Sequence, residues 1–318
     1  MTVRWGFIGA GYVASRAMAP AVHATPNASL YAVASRDQDR SATLEPQVVH
    51  RSYQDLIDDP SVDAVYISLT NAQHKEWVLA ALNAGKHVLC EKPLAMNASE
   101  VGTMLDAATR NNRLVVEAVW TRWQPRMQRM AQIVKSGELG EVTGISSAFT
   151  FQGDLTDNYR LDPSLGGGAL LDVGVYQAHL WLMLLNEDVD FSIESVERTI
   201  GATGVDLTTR AQLKLNSGIA AHLLSSFDLP PQQQIQVTGT MANMRTGEGE
   251  AFTLWKQPST LLIGETVERF EADDAFALMV HGVSTAIEAG ESTIFPTASS
   301  LRAAEITDAI SRYDLKLN

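Results

Sequence analysis

Apolar and polar positions alternate in blocks along the first 120 residues. Short apolar, β-branched runs predict strands: "VRWGFIG" (3–9), "SLYAVAS" (29–35), "DAVYISL" (63–69), "KHVLCE" (86–91) and "RLVVEAV" (113–119). Between them, "GYVASRAMAPAVHA", "SYQDLIDD", "NAQHKEWVLAALNAG" and "NASEVGTMLDAATRNN" carry helical spacing and capping residues. Strands alternating with helices predict a parallel, doubly wound α/β sheet. Several runs are apolar throughout, as expected when helices cover both faces. The segment 37–52 reads as too short for a long crossover helix.

After residue 120 the pattern changes. "WQPRMQRMAQIVKSGELG" predicts a linking helix stopped by glycine, 142–152 a strand, and "LDPSLGGGALLDVGVYQAHLWLMLL" a Gly-rich loop feeding a helix. From 191 to about 271 the chain reads mainly as strands: "FSIESVERTIGA", "DLTTRAQLKLNSG", "IAAHLLSSFDL", "QIQVTGT" and "AFTLWK". Consecutive strands predict a mainly antiparallel sheet, and two helices follow near 274–289 and 297–312. The division expected is a first domain over 1–120 and an α+β domain over 121–318, with the cleft between them as the ligand's default place.

The 318 residues suffice for two domains, and 45% hydrophobic with 19% charged content describes a globular protein with a sizeable core. The net charge of −13 argues against nucleic acid as a partner. No apolar run reaches the roughly 18–20 residues that span a bilayer, so no membrane partner is expected. The early Arg4 and the apolar stretch after it look like a signal peptide's start, yet glycine punctuation makes a first strand–helix unit the better reading. A single cysteine, Cys90, cannot form an internal disulfide and points to the cytoplasm.

"GAGYVA" (9–14) fits G-x-G-x-x-G/A, follows a strand and opens a helix. Gly9 suits a tight turn, Gly11 lets the backbone approach a pyrophosphate, and Ala14 allows close helix packing. Gly9, Ala10, Gly11, Tyr12 and Val13 are therefore candidate cofactor-binding residues. An NAD site normally places Asp or Glu after the second strand; here stand Ser35 and Arg36, with Asp37 one step later. A hydroxyl and a guanidinium suit the 2′-phosphate of NADP, with NAD as the alternative.

Ligands of open parallel sheets bind at the strands' carboxyl ends, where Thr70, Asn71, Glu91 and Lys92 fall. Lys92 suits orienting a substrate oxygen, moving a proton or tuning a neighbour; the alternative is a surface Glu91–Lys92 pair. In "GGGALLDVGVYQAH" (166–179), Asp172, Tyr176 and His179 recur at helical spacing and predict one polar face, apart from Leu170, Val173 and Leu180. A carboxylate, a phenol and an imidazole together form a proton-transfer set; the alternatives are a solvated face and, for His179, a core histidine. The seven histidines are scattered without metal-ligand spacing, so no metal is expected, and Cys90 reads as core.

With "GAGYVA", "HVLCEKPLA" and "GGGALLDVGVY" the chain resembles the Gfo/Idh/MocA family of nicotinamide-dependent oxidoreductases. "EAVWTRWQP" (117–125) draws it toward the trans-1,2-dihydrodiol dehydrogenase and NADP-dependent D-xylose 1-dehydrogenase group. The resemblance implies a Rossmann domain and a C-terminal domain on an open-faced sheet, through which homodimers or homotetramers form. It implies a cis Lys92–Pro93 peptide, a catalytic Lys92, Tyr176 as proton donor and acceptor, and Asp172 positioning substrate. Trp120, Arg122 and Trp123 are candidates for the pocket wall, and His179 for a substrate contact. "LTNAQH" lacks the proline relatives often carry, but keeps Asn71 and His74 for the cofactor side. Many relatives carry His where Tyr176 stands and Asp where His179 stands, and the region after Arg36 is shorter than in close relatives. The implied activity is hydride transfer between NADP and a sugar, polyol or dihydrodiol-like hydroxyl or carbonyl. The alternatives are an NAD-preferring inositol- or sugar-nucleotide-type dehydrogenase and a non-catalytic cofactor-binding regulator.

Overall fold

The computed structural model of the chain describes residues 2–187, 189–216, 218–291 and 298–313. They form two compact units. In the first, β1 (Val3–Ile8), β2 (Ala28–Ala34), β3 (Val48–His50), β4 (Ala64–Ile67), β5 (His87–Cys90) and β6 (Val115–Glu117) build one parallel sheet in the order β3-β2-β1-β4-β5-β6. The chain winds outward from β1 in both directions, so the topological switch lies between β1 and β4. β4 is buried at every position, as its unbroken apolar run predicts.

The helix after β1 opens with a wide π turn, Ala14–Met18, and continues as α1 (Ala19–Ala24). Pro20 explains the widening: it has no N–H to give the carbonyl four residues back. The segment 37–52 holds no long crossover helix, as its length predicts. Asp37 accepts from the Arg40 N–H (2.9 Å) and caps the five-residue α2 (Gln38–Ala42), after which β3 pairs with β2. Three residues carry no periodicity, which is why β3 is invisible in the sequence. α3 (Tyr53–Asp58), α4 (Asn71–Asn83) and α5 (Ala98–Asn111) follow where helical spacing predicts them.

The second unit starts with α6 (Pro125–Ser136), which ends at Gly137 with φ of 78°. Its sheet contains β7 (Val142–Thr150), β8 (Phe191–Ile200), β9 (Asp206–Leu215), β10 (Ile219–Ser226), β11 (Gln232–Gly239), β12 (Asn243–Thr246), β13 (Ser259–Ile263) and β14 (Thr266–Phe270). The order is β14-β13-β12-β11-β7-β10-β9-β8, antiparallel except where β7 meets β10. Ser146, His222, Gln212 and Arg245 are exposed in one cross-strand row, so one face of the sheet is open. α7 (Val175–Leu184) is buried on nearly all sides.

Two expectations need correction. "AFTLWK" is not a strand: its carbonyls go to side chains of the residues that open α6. Gln124 Nε2 donates to Leu254 O (2.7 Å), and Arg126 Nη2 donates to Glu250 O (2.7 Å) and Ala251 O (3.1 Å). The division into 1–120 and 121–318 also misses a return of the chain. α8 (Ala275–Ala289) belongs to the first unit, whereas α9 (Ala298–Ser311) belongs to the second. The reason is burial: Trp120 stacks on Phe276 at 5.7 Å, Trp5 Nε1 donates to Ser284 Oγ (3.1 Å), and Met279 and Val280 are fully buried.

One contact between β5 and the segment entering β6 depends on protonation. The Leu114 N–H donates to His87 Nδ1 (3.1 Å), so the ring must be neutral to accept it. Burial, then the Arg113 charge, pushes the His87 pKa down from 6.5 to about 4. The unfolded chain therefore takes up a proton that the folded one refuses as pH falls through that window. Stability contributed by neutral His87 is complete above about pH 6.5 and is progressively lost toward about pH 4. His87→Gln, whose amide oxygen accepts the same N–H, is expected to show a flatter dependence of the unfolding midpoint across that range. An unchanged slope would show that His87 is not the group responsible.

Candidate functional site

The loop after β1 is built by close approach. Gly9 has φ of 98°, and a Cβ there would stand 2.3 Å from the Ser68 carbonyl oxygen. Its N–H donates to Ala34 O (2.9 Å), which fixes the turn at the switch point. Ala10 and Ala14 are buried, Val13 is half-buried, and Tyr12 is exposed with Arg16 over its ring. At Gly11 a Cβ would meet nothing nearer than Ser68 Oγ at 3.9 Å, so the main chain is open to a ligand. A pyrophosphate fits that opening.

At the end of β2, Ser35 Oγ is shared with Asp37 O and Ser41 Oγ (2.8 Å). The hydroxyl thus shapes the turn that presents Arg36. The Arg36 side chain is exposed and makes no hydrogen bond or ion pair among the described residues. It lies by Tyr53, whose phenol burial pushes up and the Arg36 charge pulls down. A free guanidinium at this corner fits a 2′-phosphate.

Glu91 and Lys92 end β5, and the two differ in setting. Glu91 is buried: Tyr66 Oη donates to its Oε1 (2.8 Å), and the Lys92 N–H donates to its Oε2 (3.3 Å). Burial, then the Glu91 charge, pushes the Tyr66 pKa well up, so the phenol stays a donor. Glu117 at the end of β6 accepts from the Leu94 N–H (3.0 Å). His74, fully buried on α4, faces Pro93 O with Nδ1 (2.9 Å) and Leu69 O with Nε2 (3.3 Å). Burial pushes its pKa down. Buried Glu91, with His74 and Glu117, thus builds the loop that carries the half-buried lysine. The Lys92–Pro93 peptide is cis, as the resemblance implies. Thr70 Oγ1 donates to Gln73 Oε1 (3.0 Å) beside buried Asn71 at the start of α4.

In the second unit the three glycines wrap a segment that sequence reasoning passed over. A Cβ on Gly167 would stand 2.4 Å from Arg160 O, and one on Gly168, at φ of 116°, would stand 2.3 Å from Asp206 Oδ1. The Gly168 N–H instead donates to Arg160 O (2.9 Å). Arg160 then reaches Asp172 with Nε on Oδ2 (2.7 Å) and Nη2 on Oδ1 (3.4 Å). Asp172 sits in a second π turn, Leu170–Gly174, that leads into α7. No spacing signal marks Arg160, which stands alone in a polar loop.

Tyr176 and His179 follow on α7 and are also buried, at 8% and 2% exposure, against 4% for Asp172. There is no solvated polar face; Leu170, Val173 and Leu180 are buried too, and the helix is interior all round. Phe149 and Phe252 pack on the Tyr176 ring at 5.9 and 6.1 Å. Two pocket-wall candidates have partners within their own units. Trp120 is stacked on Phe276, and buried Arg122 forks onto half-buried Glu187, which also accepts from Ser299 Oγ (2.7 Å). Trp123, in the same short turn as Arg122, has a buried indole N–H. Among the described residues no group of side chains has the makings of a metal site. No helix of the described residues is long and apolar enough to cross a membrane.

Residues 3–119 match the GFO/IDH/MocA oxidoreductase family with its NAD-binding Rossmann fold, and residues 127–245 match that family's C-terminal domain. The chain is 32% identical to D-xylose 1-dehydrogenase (NADP(+)) 2 of Haloferax volcanii, over 96% of this chain and 95% of that protein. It is 31% identical to mouse trans-1,2-dihydrobenzene-1,2-diol dehydrogenase, over 84% of this chain and 80% of that one. Its structure resembles the 3-ketoreductase of Actinomadura kijaniata in complex with NADP and TDP-benzene, with a TM-score of 0.89, 28% identity and 97% of each chain covered.

Gly9→Ala should cost about 2–3 kcal/mol, because a left-handed backbone and a main-chain oxygen both oppose the methyl group. Thermal unfolding would register this as a lowered midpoint, and a variant as stable as the parent would contradict the packing described.

Proposed function

This chain belongs to the GFO/IDH/MocA family of oxidoreductases, and from that premise we propose roles for its residues. It is an NAD(P)-dependent oxidoreductase acting on CH–OH groups of sugar-like small molecules. The observation that carries the residue assignment is the burial of Asp172 and Tyr176, a carboxylate and a phenol, within an otherwise apolar helix. Burying such groups is unfavourable unless each has a polar partner, and a proton-transfer centre supplies a reason to keep them.

In the oxidative direction, Tyr176 takes the proton of the substrate hydroxyl. Lys92 supplies positive charge that favours both the phenolate and the developing alkoxide. Asp172 orients the hydroxyl by accepting a hydrogen bond. When bound, NADP supplies the nicotinamide that exchanges the hydride. Gly9, Ala10, Gly11, Tyr12 and Val13 hold its pyrophosphate side, and Arg36 its 2′-phosphate. Thr70 and Asn71 border the nicotinamide side. The substrate is a neutral polyhydroxylated molecule of the pentose, hexose or dihydrodiol kind, which the two dehydrogenase relatives support.

Assembly into a homodimer or homotetramer through the open sheet face is part of the same reading, supported by the exposed row across β9, β10, β7 and β12. The lone, buried Cys90 fits a reducing compartment, the cytoplasm.

Arg36→Ala should weaken NADP binding by roughly 10- to 100-fold and leave NAD binding nearly unchanged. Titrating both cofactors by fluorescence tests this; equal losses would remove the 2′-phosphate assignment. Lys92→Ala and Tyr176→Phe should each lower kcat at least roughly 100-fold with cofactor affinity retained. Steady-state rates on a panel of pentoses, hexoses, polyols and dihydrodiols provide the measurement. Near-normal turnover in either variant would refute that residue's role.

A further inference from the structure

Arg160 is the one strong cation in the loop that leads to the Gly-rich turn, and its position is fixed from several sides. Its carbonyl accepts from the Gly168 N–H (2.9 Å), which the missing Cβ of Gly167 permits. Its guanidinium lies over the Tyr159 ring, 4.9 Å from the centroid. Nε and Nη2 fork onto the two oxygens of Asp172, at 2.7 and 3.4 Å, while Nη1 reaches Asn158 Oδ1 at 3.5 Å. Asp172 stands four residues before Tyr176, the first in the π turn and the second in α7.

We propose that Arg160 is a positioning residue for proton transfer: its guanidinium fixes the Asp172 carboxylate and cancels its charge one helical turn before Tyr176. The proposal rests on the reading of Tyr176 as the group that exchanges the proton. In that step the phenolate oxygen takes the hydroxyl proton and the substrate is left as alkoxide, so negative charge passes from phenol to substrate. An uncompensated Asp172 would oppose negative charge on both partners. With Arg160 paired to it, the carboxylate orients the hydroxyl without that repulsion. Burial opposes the guanidinium's own charge, but Asp172, then Tyr159 and Tyr176, hold its pKa above the ordinary value. By reciprocity the guanidinium favours the ionised phenol.

The groups to be reckoned with around the phenol are Arg160, Tyr159 and Asp172 on the loop side, His179 farther along α7, and Lys92 under the proposed roles. The neighbouring Phe149 and Phe252 rings carry no charge. Arg160→Gln removes the cation and leaves the carboxylate.

The experiment follows kcat/KM for oxidation against pH, together with ultraviolet titration of tyrosinate in the enzyme and in Tyr176→Phe. In Arg160→Gln the limb on which activity rises with pH should move up by about one pH unit or more. Adding Asp172→Asn to Arg160→Gln should bring that limb back toward the parent, because the opposing charge is then gone as well. Arg160→Lys, which keeps the charge but not the fork, should keep the limb in place and raise KM. A limb that stays put in Arg160→Gln, or fails to return in the double variant, overturns the proposal. If Arg160→Gln does not fold by circular dichroism, Arg160→Lys decides alone: a shifted limb or an unchanged KM overturns it. Persistent turnover in Tyr176→Phe would instead sink the underlying reading. The tyrosinate titration distinguishes the two failures, since it follows the phenol without turnover.

Discussion

Asp172 is a carboxylate almost without access to water, and Arg160 forks onto both of its oxygens. Removing a partner of a buried charge costs several kcal/mol, so a buried carboxylate must be paired, and the Arg160 fork at 2.7 Å is such a pairing. Much of the local sequence follows from that condition. The guanidinium must come from a chain segment lying close against the turn before α7, and only residues without a Cβ let the two main chains approach so nearly. Gly167 is thus the steric counterpart of an electrostatic requirement.

The first unit also buries and hydrogen-bonds two carboxylates. Glu91 and Glu117 end adjacent strands and are both buried. A phenol and a backbone N–H answer Glu91, and the Leu94 N–H answers Glu117. His74 closes the arrangement by meeting a carbonyl on each of the two loops beside it. A lysine placed on such a loop has its backbone held by several independent bonds, which keeps the position of its ammonium group defined. Positioning here comes from the residues around Lys92, and most of them are polar groups that never reach the surface.

Several readings were available from local pattern because the relevant signal is local. β1, β4 and β5 are apolar runs of strand length, and α4 and α5 show a helix period with capping residues. The fingerprint at Gly9 and the charged end of β5 could be placed at strand ends from order alone. Asp172 and Tyr176 stood out because polar groups were embedded in an apolar helix. What covers them was not legible, since the packing on nearly every side of α7 is not written into α7.

The sequence by itself determined the alternation of strands and helices, the glycines of the turn after β1 and the polar residues embedded in an apolar helix. Each is encoded within a window of a few residues by periodicity, backbone freedom or residue type. The tertiary structure alone decided the partners. It joined Arg122 to Glu187 across 65 positions, returned α8 to the first sheet, and set Arg160 against Asp172. It also set Glu91 and His74 into the hydrogen bonds that hold the lysine loop. Such pairings depend on which segments burial brings together, and a side chain's charge or hydrogen-bonding type does not say which distant group will satisfy it.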